Sequence, residues 1–153
     1  MTFNDVLRRL RFTLHINNEA IIDLCAKGGK ELLPAKLDQY LKREDEEEYE
    51  ECSAEDGSAF LDGLIIWKRG PSDGAPKAKG KVVLDNNIIL RKLRIAFELR
   101  DTDMLRVLEL AEMQISKSEL SAFFRTPKHR NYMEVQSQLL RRFMVGLDKY
   151  LRL

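Results

Sequence analysis

The chain contains one helical pattern twice, at a fixed distance. The stretch Asn4–Leu14 (NDVLRRLRFTL) returns 83 residues later as Asn87–Phe97 (NIILRKLRIAF). The same offset holds without a gap as far as Gly63, which matches Gly146. An internal repeat of this kind indicates that one structural unit has been built twice, with equivalent side chains in each core.

Apolar residues in each copy recur at the spacing of amphipathic helices, and capping residues divide each copy into four of them. The predicted caps or first positions are Thr2, Asn18, Pro34 and Ser53 in the first copy, and Asp85 or Asn86, Asp101 and Ser116 in the second. Lys117 follows a Ser116/Glu119 capping box and aligns with Pro34, which also favours a helix start. Signals for strands are few. The sequence predicts an all-α protein of two tandem four-helix repeats, each with a helix-turn-helix-like corner.

A glycine recurs inside the fourth helix of each copy, as Gly63 and Gly146. Glycine in a helix interior costs about 1 kcal/mol relative to alanine. Its presence in both copies predicts that another helix approaches closely there, at a point where a Cβ atom would clash.

Charge and composition predict three segments: an acidic repeat over residues 1–69, a flexible linker rich in Gly and Pro over residues 70–84, and a basic repeat over residues 85–153. Residues 1–70 carry 10 Lys and Arg against 15 Asp and Glu, whereas residues 81–153 carry 14 against 9. Repeats of opposite charge either face each other or face different partners.

Several functional classes lack their usual sequence signals. No apolar run approaches the roughly 20 residues that span a bilayer, and no secretory signal is recognisable, so a cytoplasmic protein that does not enter membranes is expected. Cys25 and Cys52 favour free thiols over a disulfide. No metal-ligand spacing, phosphate loop or nucleophile motif appears, so we expect no metal, no cofactor and no enzymatic activity. An all-α enzyme with scattered residues remains an open alternative.

Four arginines match between the copies, Arg8 with Arg91 and Arg11 with Arg94. One interpretation is a phosphate-binding surface. The other is structural ion pairing, because the acidic positions also match between the copies. We favour the second interpretation, with the pairs Arg8–Glu51 and Arg91–Glu134.

The second and third helices of the second repeat resemble part of a helix-turn-helix, since a Ser cap is followed four residues later by a buried aliphatic residue. In this interpretation Lys117, Ser118, Ser121 and Arg125 face a nucleic-acid groove, and Lys128, His129 and Arg130 lie near phosphates. The alternatives are a packing corner without a ligand and a solvated loop. The equivalent surface of the first repeat is followed by an acidic run and would repel nucleic acid.

Two further surfaces suggest protein partners. The acidic run Glu44–Glu51 is either a solvated turn or a segment that docks on the basic repeat of the same or a neighbouring chain. The fourth helix carries more apolar surface than one face needs, around Ile66 and Trp67, and predicts a protein-interaction or self-associating module as the alternative function.

Three segments, LDGLIIWKRG (Leu61–Gly70), NNIILRKL (Asn86–Leu93) and LSAFFR (Leu120–Arg125), resemble the YehS-like bacterial proteins. The resemblance extends over essentially the whole chain. It implies a bacterial cytosolic protein with a duplicated helical domain, and it implies no activity, because the function of that family is unknown.

Overall fold

The structure is a computed structural model that describes residues 1–71 and 81–153, and in these ranges it contains helices and no strands. The chain divides into two compact units, Met1–Leu84 and Asp85–Leu153. We call them repeat 1 and repeat 2. The helices are α1 (Phe3–Leu14), α2 (Asn18–Lys27), α3 (Pro34–Tyr40), α4 (Ala54–Arg69), α5 (Asn86–Ala96), α6 (Asp101–Leu110), α7 (Lys117–Phe123) and α8 (Ser137–Leu151).

All four helices of repeat 2 begin 83 residues after their counterparts in repeat 1. The predicted caps Thr2, Ser53, Asp85 and Ser116 accept hydrogen bonds from backbone N–H groups of the first turn, as a cap must. The predicted cap of α2 was wrong by one residue, because Asn17 and not Asn18 caps it. The same shift occurs in α6, which Arg100 precedes and Asp101 begins.

Equivalent apolar side chains fill the two cores. Leu10 and Leu93 are both fully buried, as are the other matched pairs Val6/Ile89, Leu7/Leu90, Ile21/Met104, Leu37/Leu120, Phe60/Phe143 and Leu64/Leu147. The prediction of an all-α chain with the same core built twice is confirmed.

The paired glycines lie where two helices touch. A Cβ atom on Gly63 would stand 1.7 Å from the carbonyl oxygen of Leu24, and one on Gly146 would stand 1.9 Å from that of Val107. Leu24 and Val107 are themselves equivalent, so α4 crosses α2 at the same point at which α8 crosses α6. The predicted close approach is confirmed in both repeats.

A buried asparagine braces each repeat and was not predicted. The side chain of Asn4 donates to the carbonyl oxygens of Tyr40 (3.0 Å) and Glu50 (2.8 Å), and its Oδ1 accepts from the backbone N–H of Cys52 (2.7 Å). Asn87 makes the equivalent bonds to Phe123, Met133 and Val135 at 3.1, 2.8 and 2.9 Å. These three bonds tie the first helix of a repeat to the end of its third helix and to the loop that follows.

The segment predicted as a linker is described only at its ends, because residues 72–80 lie outside the described part of the chain. Leu84 lies against repeat 1, since a Cβ atom added to Gly57 would meet its side chain at 2.7 Å. None of the helices in the described ranges is both long and apolar enough to cross a membrane.

Candidate nucleic-acid interface of repeat 2

The predicted nucleic-acid residues lie on α7 and on the loop that follows it. Lys117, Ser118 and Ser121 are exposed on α7, Arg125 is half-buried just beyond its end, and Lys128, His129 and Arg130 are exposed in the loop. We call these seven residues the basic surface. Within the described ranges, no ion pair involves its lysines or Arg130, so these cations have no acidic partner in that part of the chain.

Side-chain hydrogen bonds hold the loop of the basic surface in shape. Arg125 Nη1 donates to the carbonyl oxygen of Asn131 at 3.1 Å, and the backbone N–H of Asn131 donates to His129 Nδ1 at 3.0 Å. Because Nδ1 accepts this bond, the neutral imidazole of His129 carries its proton on Nε2 and offers it to solvent. The loop therefore presents cations and a donor from a braced backbone.

The corner between α6 and α7 is wider than that of a DNA-binding helix-turn-helix. Residues 111–116 connect the two helices, whereas the turn of that motif has 3–4 residues. α7 has only 7 residues. Most of the cations follow α7 and do not lie along it, so the helix-turn-helix comparison stays a prediction and the basic surface does not depend on it.

The predicted structural ion pairs are replaced by other arrangements. Arg8 donates to Asp5 at 3.0 Å and to the carbonyl oxygen of Lys42 at 2.9 Å, while Glu51 is exposed. A carboxylate three residues away on the same helix is a nearer partner than one in a distant loop. Arg91 and Glu134 are both exposed, and no ion pair joins them in the described parts of the chain. Arg91 thus adds an exposed cation to repeat 2.

The second matched arginine pair is engaged inside each repeat. Arg11 Nε donates to Asn18 Oδ1 at 3.0 Å. At the equivalent place Arg94 donates to Asp101 at 2.5 Å and to the carbonyl oxygen of Leu99 at 3.0 Å, and it lies 4.7 Å from the centre of the Phe124 ring. Arg94 is therefore less available than Arg91 for an external phosphate.

The loop after the third helix has nearly the same backbone in the two repeats. Residues 43–51 form the acidic loop and residues 126–134 the basic loop. The N–H of Glu46 bonds to the carbonyl oxygen of Arg43 at 2.9 Å, and the N–H of His129 bonds to that of Thr126 at 2.9 Å. The hydrogen bonds of Tyr49 and Tyr132 to the same loop positions also match. One difference is the left-handed φ of 72° at Glu48.

The charges of the two loops are opposite. The acidic loop contains one basic and seven acidic residues, whereas the basic loop contains two basic residues, one acidic residue and His129. Since the backbone is held by equivalent bonds, the difference resides in the side chains. The local charge therefore favours an anion at this position in repeat 2 and disfavours one in repeat 1.

Repeat 1 also contains a buried polar cluster that the sequence interpretation missed. The Asp56 carboxylate accepts the hydroxyl of Tyr40 at 2.5 Å and pairs with the Lys30 ammonium at 3.1 Å. Asp56 stands three residues after the Ser53 cap, where a capping box would place it, but its carboxylate instead faces Tyr40 and Lys30. Tyr40 and Asp56 are 2% and 8% exposed, so a substrate cannot reach them.

The two cysteines lie beside this cluster and are free thiols. The Sγ atom of Cys25 is 4.0 Å from the backbone oxygen of Asp56. Burial, assisted by the Asp56 charge, raises the pKa of Cys25 and of Cys52 to about 12. Burial and the hydrogen bond to Asp56 also raise the pKa of Tyr40. Protonated thiols are poor nucleophiles. The Tyr40–Asp56 hydrogen bond of the cluster joins α3 to α4.

Repeat 2 has only apolar residues at the positions of this cluster. The counterparts of Lys30, Tyr40, Asp56, Cys25 and Cys52 are Met113, Phe123, Leu139, Leu108 and Val135. The cluster could have been predicted from the alignment of the two repeats. In that alignment each polar residue of the cluster in repeat 1 corresponds to an apolar residue of repeat 2, 83 positions later.

A cleft lies beside Trp67 in repeat 1. Its volume is about 600 Å³, and Ile16, Ala20, Leu24 and Trp67 line it together with the charged residues Asp23 and Lys27. The Trp67 side chain is 46% exposed. Tyr150 occupies the equivalent position in repeat 2 and hydrogen-bonds to Asp103, so the aromatic residue there is engaged by its own repeat.

Comparison with known proteins follows the same division into two repeats. A family model described as "Protein of unknown function (DUF1456)" matches residues 3–70 and again residues 86–152. The chain belongs to this family. The uncharacterised protein YehS of Escherichia coli (strain K12) is 39% identical over 147 residues, which cover 96% of this chain and 94% of the relative. No solved structure matches the chain. The resemblance and the tandem duplication are thereby confirmed, and the family description assigns no activity.

Proposed function

We propose that this protein is a non-enzymatic nucleic-acid-binding module in which repeat 2 carries the interface. The observation that supports this function is the basic surface, where Lys117, Lys128 and Arg130 are exposed without an acidic partner in the described chain. In repeat 1 the equivalent positions are Pro34, Asp45 and Glu47.

The chemistry of the basic surface favours contact with the sugar-phosphate backbone over reading of bases. Its side chains are cations, hydroxyls and one imidazole, all of which donate to phosphate oxygens. Arginine is the side chain that most often reads a base edge in the major groove. The two arginines of this surface, Arg125 and Arg130, follow α7 and do not lie on a helix. We therefore expect binding with little sequence preference, and affinity that falls steeply with salt because phosphate contacts release counterions.

Fluorescence anisotropy with labelled duplex and single-stranded DNA and RNA tests this function. The quadruple variant Lys117→Ala/Arg125→Ala/Lys128→Ala/Arg130→Ala is expected to bind much more weakly at about 50 mM salt and to lower the salt slope by about 0.9 for each duplex phosphate contact removed. The matched control removes four cations of repeat 1, Lys27, Lys36, Lys42 and Arg43, and should keep most of the affinity. Equal losses in the two variants, or no binding by the unaltered protein, would contradict the proposal.

A second candidate function, protein binding through α4, is favoured by the exposed Trp67 and its cleft. An apolar contact of this kind survives high salt, unlike a phosphate contact. If α4 of one copy docks on that of another, sedimentation at high salt will show a dimer that Trp67→Arg dissociates. A monomer under these conditions excludes this form of association.

A further inference from the structure

We infer that the acidic loop of one copy docks on the basic surface of a second copy and competes there with nucleic acid. The docking follows from the charges of the two loops alone, whereas the competition rests on the proposed function. The partner is therefore another molecule of this chain, and its acidic loop takes the place of a run of phosphates.

Unpaired charges of opposite sign support this docking. In the acidic loop Arg43 bonds to Glu46 at 3.2 Å, and Lys36 bonds to Glu50 at 2.5 Å. Glu44, Glu47 and Glu48 are exposed and make no ion pair within the described residues. These three carboxylates, together with the exposed Glu51, thus face solvent on one loop, and three cations face solvent on the basic surface, so each set lacks what the other provides.

The shared backbone also brings these charges onto comparable surfaces. Both loops leave the third helix in the same way, since the N–H of Glu50 bonds to the carbonyl oxygen of Gln39 at 3.4 Å and that of Met133 bonds to Ala122 at 3.2 Å. The Asn4 and Asn87 braces fix both loops to the first helix of their repeat. Neither loop has to fold on binding, so the contact costs little conformational entropy.

The symmetry of such an assembly follows from the difference between the two surfaces. An acidic loop on a basic surface is a contact between unlike patches. If each of two molecules places its acidic loop on the basic surface of the other, the result is a closed two-fold dimer. If each molecule instead docks on the next one, the result is an open chain of molecules. Exposed ion pairs are individually weak and are screened by salt, so association is expected at low ionic strength and high protein concentration only.

Sedimentation velocity without nucleic acid tests the docking. The unaltered protein is expected to associate at about 50 mM salt and to dissociate at about 200 mM, a range over which screening of exposed charges increases. The variant Glu44→Gln/Glu47→Gln/Glu48→Gln should be monomeric at both. The control Glu19→Gln/Glu31→Gln/Glu55→Gln changes the net charge equally outside the loop and should still associate.

A charge exchange makes the test specific. Glu44→Lys/Glu47→Lys/Glu48→Lys and Lys117→Glu/Lys128→Glu/Arg130→Glu should each be monomeric alone and should associate with each other when mixed. A monomeric unaltered protein, or failure of the mixed variants to associate although both retain their helical circular-dichroism spectrum, overturns the docking.

The competition is measured separately, as the nucleic-acid affinity of the same variants. The measurement is made at protein concentrations at which the unaltered chain associates. Removing the three loop carboxylates should then raise the affinity for nucleic acid several-fold more than the control substitutions do. Equal increases in the two variants overturn the competition and leave the docking intact. Association without any nucleic-acid binding means that the proposed function has failed while the docking stands.

Discussion

The two repeats share a backbone and an apolar core, and they differ in one part of their interiors. In repeat 1 the space between the third and fourth helices is filled by Tyr40, Asp56 and Lys30, whereas repeat 2 places Phe123, Leu139 and Met113 there. Both arrangements support the same helix starts, asparagine brace and glycine crossing. The comparison teaches that the matched apolar core, the brace and the crossing are kept in both repeats, whereas the contacts between the third and fourth helices differ.

The helix crossing should give the largest effect. Gly63→Ala and Gly146→Ala each place a methyl group within 2 Å of a backbone oxygen of the neighbouring helix, so the helices must separate. We expect each to lower the free energy of unfolding by about 3 kcal/mol or more. Urea denaturation checks this, with fluorescence of the single Trp67 for repeat 1 and circular dichroism for the whole chain.

A further glycine contact tests whether the crossings differ. A Cβ atom on Gly28 would lie 1.8 Å from the carbonyl oxygen of Ala59, while repeat 2 has Ala111 at that position. Gly28→Ala should therefore destabilise strongly and Ala111→Gly only slightly. Similar effects of the two substitutions would mean that α2 and α4 pack no more closely there than α6 and α8.

The asparagine braces should be equally important in the two repeats. Asn4→Ala and Asn87→Ala each remove three hydrogen bonds and leave buried backbone groups without partners, at an expected cost of about 3 kcal/mol. Calorimetry or denaturant titration of the two variants measures the cost. A tolerated substitution in one repeat, with a large loss in the other, would show that the two braces are not equivalent.

Replacing the polar cluster by its apolar counterpart should have a moderate effect. Asp56→Ala removes the carboxylate to which the buried Tyr40 hydroxyl donates and should cost about 2 kcal/mol. The triple variant Lys30→Met/Tyr40→Phe/Asp56→Leu carries the residues of repeat 2 and should recover most of that loss, because apolar residues can replace a buried polar pair without net cost. A triple variant less stable than Asp56→Ala would indicate that repeat 1 requires the polar arrangement.

A last effect is absent at neutral pH and should appear only at alkaline pH. Burial raises the pKa of Cys25 to about 12 from its ordinary value of 9.0. Above about pH 9 the unfolded chain loses this proton and the folded chain keeps it, so stability is present below pH 9 and falls as the pH rises toward 12. The raised pKa of Tyr40 acts in the same direction. Cys25→Val/Tyr40→Phe should flatten the pH dependence of the Trp67 unfolding transition, and an unchanged slope would contradict this assignment.

Local features of the fold could be predicted from the sequence, and contacts between distant residues, apart from the glycine crossing, could not. Pro34 and the Ser116/Glu119 box determine where their helices begin through interactions within one turn, so both were found. Asn17 and Asn18 stand side by side, and either can cap a helix, which explains the error of one residue. The repeated glycine predicted the helix crossing. Glycine destabilises the interior of a helix, so its presence in both repeats indicates a close contact that a Cβ atom would prevent.

The missed features each had a sufficient local explanation. Asn4 lies in the first turn of a helix, where a polar residue is ordinary, and Asp56 stands three residues after a Ser cap. Their actual partners are tens of residues away in the sequence. The position of the basic surface could be predicted, because its cations lie outside the periodic apolar positions that form the core and are therefore expected at the surface. Its ligand does not follow from the spacing of charges.

Exchange of the loops tests the central claim most directly, that the two repeats share a backbone and differ in what their side chains bind. In the variant with Lys117, Arg125, Lys128 and Arg130 changed to Ala, residues 44–48 are replaced by the sequence of residues 127–131, Pro-Lys-His-Arg-Asn. The account predicts an unchanged circular-dichroism spectrum and the return of salt-dependent nucleic-acid binding, now through repeat 1. Loss of the helical fold, or a folded protein that binds no nucleic acid, would contradict it.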